Sequence, residues 1–150
     1  MLKKYCLIII ILLVLPLASC KGSSSDLKDG YYTAEVDDFD SYGWKDYVTI
    51  CVSGGRIIMV EYNAYNLSGF LKSWDMDYMR SMSASDKTYP SEYARHYARL
   101  FLYYQSTNGI DVLSGATVSY PIFIKLAEAV LKNAMEGDRN IVLIHIGDAL

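Results

Sequence analysis

The stretch Tyr47-Val48-Thr49-Ile50-Cys51-Val52-Ser53-Gly54-Gly55-Arg56-Ile57-Ile58-Met59-Val60-Glu61-Tyr62 decides the fold. Two β-prone runs, 47–52 and 56–62, flank Ser53-Gly54-Gly55. Glycine accepts the positive φ that a tight hairpin turn requires, so the stretch reads as two antiparallel strands, the second extending towards Tyr65. Gly54-Gly55 alone is far too little for a phosphate-binding loop. Upstream, Tyr31 to Val36 is short and aromatic and reads as another strand. Asp37 to Asp46 is acidic, contains Gly43 and reads as a solvated loop. Its aspartates lack the spacing of a calcium-binding loop.

Downstream the period changes from two to nearly four. Trp74, Tyr78 and Met82 lie four apart and predict a helix from about Ser73 to Met82, with Asp75 and Asp77 in its first turn. Ser83 to Pro90 reads as a connector. Tyr93, Tyr97, Leu100, Phe101 and Tyr104 form an apolar stripe on a helix over 92–104. The last helix, 121–135, repeats Ile122, Leu126, Val130 and Ala134, with Ser119 as expected N-cap, Pro121 in its first turn and Gly137 as stop. Ile141 to Ile146 is a β-prone run that reads as a possible added strand. The fold class is α+β, a small antiparallel sheet with helices packed on it.

The N-terminal residues are targeting sequence. Lys3 and Lys4 precede the apolar run Cys6 to Leu15, which falls short of the about 20 residues a membrane span needs. Leu17-Ala18-Ser19-Cys20 resembles a bacterial lipobox, so residues 1–19 are expected to be removed and Cys20 to carry lipid. Residues 20–28 read as a polar tether and 29–137 as the domain, with 138–150 as a C-terminal extension. The chain is thus expected to be extracytoplasmic and held to a bacterial membrane.

At a net charge of −3 nothing is basic enough to suggest a nucleic-acid partner, and removing residues 1–19 leaves the remainder more acidic. Of three cysteines, only Cys51 stays in the mature domain as a free thiol, in a strand where a buried, inert side chain is expected. No cysteine pair or histidine cluster supports a metal site. Neither His96 nor His145 has an evident catalytic partner, and no G-x-S-x-G elbow supports a serine hydrolase.

The chemistry-bearing segment is Asp111-Val112-Leu113-Ser114-Gly115-Ala116-Thr117-Val118-Ser119. A hydroxyl-rich loop opens a helix, whose free N–H groups favour phosphate, and Gly115 permits close approach. From spacing alone an ordinary capped loop also fits. The segment resembles the flavinylation motif of the FMN-binding domain family, which includes the C subunit of the sodium-translocating NADH:quinone reductase, the Rnf G subunit and short lipoproteins. Asp111, Ser114, Gly115, Ala116 and Thr117 match without departure, and Ser119 fills a further usual position. The likeness spans roughly Asp29 to Gly137 and takes in Gly69, Lys72, Ser73, Asp75, Tyr78 and Met82.

The resemblance implies FMN as cofactor, attached through a phosphoester to Thr117. It implies maturation by a separate magnesium-dependent flavin transferase that uses FAD. Lys72 is expected to oppose the phosphate or the charge of the reduced ring, or to be a solvated surface lysine. Trp74, Tyr78, Tyr120 and Met82 are candidate ring contacts. The implied role is an electron carrier or oxidoreductase subunit, with unknown donor and acceptor, more than a stand-alone enzyme. Non-covalent FMN binding in a reductase subunit and a flavin-free binding or structural lipoprotein are the alternatives.

Overall fold

A computed structural model describes residues 26–147. Cys20 and the targeting segment lie outside the described residues, as do residues 148–150. Strands β1 (Gly30–Val36), β2 (Lys45–Ser53) and β3 (Arg56–Tyr65) form an antiparallel meander. A 3-10 turn follows at Lys72–Trp74, then helices α1 (Met76–Asp86), α2 (Pro90–Tyr104) and α3 (Ser119–Glu136). Strand β4 (Val142–Ile144) closes the sheet in the order β3-β2-β1-β4. The α+β class stands as expected. The added strand exists too, but it pairs with β1 in parallel, so the sheet is mixed. The C-terminal end of α3 lies beside the start of β1, and this sets the direction of β4. The hydrogen bond from Lys28 N–H to the Ala134 carbonyl fixes that proximity, at 2.9 Å.

Alternation along the strands puts Tyr32, Ala34 and Val36 of β1, with Val48, Ile50 and Val52 of β2, on the face covered by α2 and α3. Phe123 meets Tyr62 and Tyr97, each with ring centroids 5.1 Å apart. Leu126, Ala127, Val130 and Ala134 continue the α3 stripe into the core. The opposite face is polar: Thr33 and Thr49 hydroxyls lie 2.9 Å apart, and Tyr47 donates to Glu61 at 2.6 Å. Cys51 is a buried free thiol, as its strand position suggested.

Several boundaries differ from expectation. Leu27, in the stretch read as tether, is buried in the core, so the packed body begins before Asp29. Helix α1 starts at Met76, with Asp75 as its N-cap accepting from Tyr78 N–H at 2.9 Å, and it runs through the expected connector to Asp86. Trp74 belongs to the preceding 3-10 turn, so the helical spacing that grouped it with Tyr78 and Met82 does not apply, and it stands 63% exposed. Ser119 is a helical residue of α3 and not its N-cap. The chain already turns at 113–116, Val118 is helical in φ and ψ, and the Tyr120 N–H donates to the Ala116 carbonyl at 3.0 Å. Gly137 ends α3 at φ 75°, as expected.

The edge strand β3 is partly closed by a side chain. Gln105 accepts from Ile57 N–H at 2.8 Å and donates to the Ile57 carbonyl at 3.0 Å.

The elements define two ends. At one, the Ser53–Arg56 turn, Lys28 and Gly137 meet. At the other, the 37–44 loop, the 3-10 turn, α1 and the start of α3 surround a cleft.

Candidate functional site

The cleft has a volume of about 600 Å³ and is lined by segments far apart in sequence. The 37–44 loop brings Asp40 and Tyr42, and β2 brings Asp46. The 3-10 turn brings Lys72, while α1 brings Tyr78 and Met82. Tyr93 comes from α2, and Gly115, Ala116, Thr117, Ser119 and Ile122 from the loop and start of α3.

The loop before α3 is tightly held. Leu113 N–H donates to the Tyr97 hydroxyl at 3.1 Å, and the Tyr120 hydroxyl donates to the Ile110 carbonyl at 2.7 Å. Ala116 is buried. Gly115 sits at φ +82° against α1. A side chain there would collide with the Asp86 carbonyl oxygen and come within 2.9 Å of Thr88 Cγ2. Only glycine satisfies both the left-handed backbone and the contact. With Gly115 and Ala116 packed down, Thr117 is exposed on the rim of the cleft.

Lys72 is buried, at 8% exposure, and not the solvated lysine that its type suggests. Its ammonium stands 5.1 Å from the Tyr78 ring centroid and 5.8 Å from that of Trp44. Among the described residues no carboxylate comes within ion-pair distance of it, so the two aromatic faces hold the cation at the cleft wall. Trp44 and Tyr78 are themselves edge-to-face at 6.3 Å.

Behind Lys72, Asp46 is buried and accepts from the Tyr62 hydroxyl at 2.9 Å. Burial raises the Asp46 pKa, against the opposing pull of the Lys72 charge and the Tyr62 hydrogen bond. Burial works against the charge on Lys72, but Tyr93, Asp46, Tyr78 and Asp40 outweigh it and its pKa is raised. At neutral pH the phenols are un-ionised, so the carboxylates supply that favourable field. Burial likewise raises Tyr93, keeping its phenol neutral.

Of the residues singled out from sequence, Gly115, Ala116, Thr117, Ser119, Lys72, Tyr78 and Met82 gather at the cleft. Asp111 and Ser114 are exposed and lie outside its lining. Trp74 lines a separate shallow groove with Asn63, Ser73 and Arg95. Tyr120 points inward against Tyr97, with centroids 5.8 Å apart. The sequence offered Asp40 and Asp46 only as part of an acidic loop, Tyr93 only as part of an apolar stripe, and Trp44 not at all. Asp46, expected in the solvated 37–46 loop, is instead the second residue of β2 and buried at an inward position of the alternation, and Trp44 just before the strand is buried too. Chemically the cleft joins a reachable hydroxyl, an unneutralised ammonium and an aromatic wall. That set suits an anionic ligand with a flat ring.

The chain is 35% identical over 127 residues to the 15 kDa lipoprotein of Treponema pallidum (strain Nichols), covering 85% of this chain and 89% of that protein. It belongs to that lipoprotein family. A crystal structure of a Clostridium perfringens protein is similar, with a TM-score of 0.76 at 40% identity, over 80% of this chain and 98% of that one. A solution structure of a Clostridium thermocellum protein has a TM-score of 0.50 at 32% identity, over 72% and 92% of the two chains. The chain matches no protein-family model. Among the described residues no helix is long and apolar enough to cross a membrane.

Proposed function

We propose that this lipoprotein is an extracytoplasmic flavoprotein, held to the membrane by lipid on Cys20 and carrying FMN on Thr117 through a phosphoester. In this reading it passes electrons between a donor and an acceptor. The observation that carries the proposal is the meeting of Thr117, in the motif Asp111-x-x-Ser114-Gly115-Ala116-Thr117, with the buried ammonium of Lys72 on one cleft. When bound, FMN supplies reversible uptake and release of electrons.

The chain's own residues bind, orient and exclude water. Lys72 offers its charge to a phosphate or to a ring that has become negative. Trp44 and Tyr78 hold that charge without neutralising it. Tyr78, Met82, Tyr93 and Ile122 give the wall its apolar area. Thr117 is weakly nucleophilic by itself and needs a base. Among the described residues neither histidine lines the cleft: His96 packs on Tyr97, and His145 pairs with Asp37 at 2.6 Å. The family resemblance implies a separate flavin transferase, which would supply that base. Thr117 would accept the FMN phosphoryl group of FAD on its hydroxyl oxygen, with the pyrophosphate P–O bond broken, AMP leaving with the electron pair and the hydroxyl proton passing to the transferase. Exposure of Thr117 on the rim leaves it open to that enzyme.

The test is intact mass after co-expression with a transferase shown to be active on a control substrate. Wild type gains one FMN less water, and Thr117→Ala gains nothing. Equal covalent flavin on both proteins overturns the assignment to Thr117. Flavin released on denaturation means non-covalent binding, and a colourless wild type means a flavin-free anchored module.

A further inference from the structure

We infer that the cleft end docks a water-soluble protein whose contact face combines an apolar centre with a basic rim, while the short tether keeps that end off the bilayer. The inference rests on the lipid at Cys20 proposed above, and not on the flavin.

The incoming chain is fastened at the opposite end. Lys28 donates its backbone N–H to the Ala134 carbonyl and its Nζ to the Glu136 carbonyl, both at 2.9 Å. The Asp29 carboxylate accepts from Gly54 and Gly55 N–H at 3.0 Å each, and Arg139 donates to the Asp29 carbonyl at 3.0 Å. From Cys20 to Leu27 the chain reaches at most about 25 Å even when fully extended. Helix α3, with 18 residues, separates that end from Thr117 by about 27 Å. Pressing the cleft face-on against the bilayer would need a taut chain drawn around the whole body.

What the cleft end presents is suited to a protein. Beside the cleft, Leu67 is 87% exposed, Met76 is 57% exposed, and Phe70 and Trp74 pack edge-to-face at 6.4 Å with much of both rings in water. On the cleft rim Tyr42 is 79% exposed. The Phe70–Trp74 pair, with exposed Leu67 and Met76 near it in sequence, suits an interaction surface. Around them, segments 37–46 and 66–87 hold seven aspartates against four cations, Lys45, Lys72, Arg80 and Lys87. An acidic rim is repelled by anionic lipid headgroups and attracts a basic protein. The end that holds the tether lacks this bias: segments 26–29, 53–56 and 136–139 carry four acids and three bases.

The experiment uses the full lipidated protein in vesicles of neutral phosphatidylcholine. Lipid on Cys20 is first established by the mass of the N-terminal peptide; its absence removes the anchor and this inference together, leaving the Thr117 assignment to its own test. Bimane is placed at Leu67→Cys or Ser53→Cys, Cys51 being buried. A headgroup quencher in the vesicles is expected to dim the label at 53 and spare that at 67. Cytochrome c, a small basic haem protein, is then added as probe. It is expected to quench the label at 67 saturably and not that at 53, with affinity about threefold or more weaker in Asp38→Asn/Asp77→Asn. Lipid quenching at 67 equal to that at 53, or cytochrome c quenching that is absent or equal at the two positions, overturns the inference.

Discussion

The two ends of this domain solve opposite problems. The end holding the N-terminal chain is stitched by backbone groups: Lys28 to the last turn of α3, Asp29 to the hairpin turn, Arg139 to the Asp29 carbonyl. The cleft end instead buries charged groups outside ion-pair distance of one another, with Lys72 against aromatic faces and Asp46 behind it. The length of a helix separates the fastening of the incoming chain from the cleft.

The sharpest way to break the contrast is Gly115→Ala. Its backbone is left-handed and the new methyl would meet the Asp86 carbonyl, so we expect a loss of about 3 kcal/mol or more in urea unfolding. Lys72→Met comes next. It leaves Asp46 without its cation and should cost about 1–3 kcal/mol at neutral pH. The sign follows from linkage: the folded-state pKa of Asp46 lies above its unfolded value, so its contribution is full below the unfolded pKa and lost as pH rises through the folded one. Removing Lys72 raises that pKa further, so the variant should regain stability as pH falls, and Asp46→Asn in the same chain should flatten the profile. Gly54→Ala, at the other end, is expected to cost only about 1 kcal/mol, because the backbone is left-handed but the space around it is open.

The smallest effect is that of Asp29→Asn. The hydrogen bonds from Gly55 and Gly54 lower the Asp29 pKa, so its contribution is present above the unfolded value and lost as pH falls through the folded one. The variant should show faster amide exchange at Gly54 and Gly55 and lose part of the acid-limb slope of stability. Unchanged exchange there would deny the carboxylate its fastening role.

What could be read in the chain was local. The hairpin about Gly54-Gly55, the stripe Tyr93-Tyr97-Leu100-Phe101-Tyr104 and the four-residue repeat of α3 each follow from a single period, and the structure keeps them except that Tyr104 stands 44% exposed and Ile122 is only half-buried. Thr117 and Gly115 were legible because the motif is contiguous. Lys72 was not legible as buried, since its surroundings are Trp44 from before β2 and Tyr78 from α1. Trp74 was misplaced because three residues of 3-10 turn break the helical phase ahead of Met76. The parallel pairing of β4 with β1 depends on where α3 ends relative to the sheet, which no local pattern encodes.

Gln105 has a consequence beyond the fold. Molecules tied to one sheet of lipid meet their own copies far more often than molecules free in bulk, and an open strand edge invites them to stack. On β3 the amide of Gln105 already occupies both backbone groups of Ile57. A neighbouring copy sliding along that edge finds its ladder interrupted at the first rung, which favours a dispersed layer over a fibrous one.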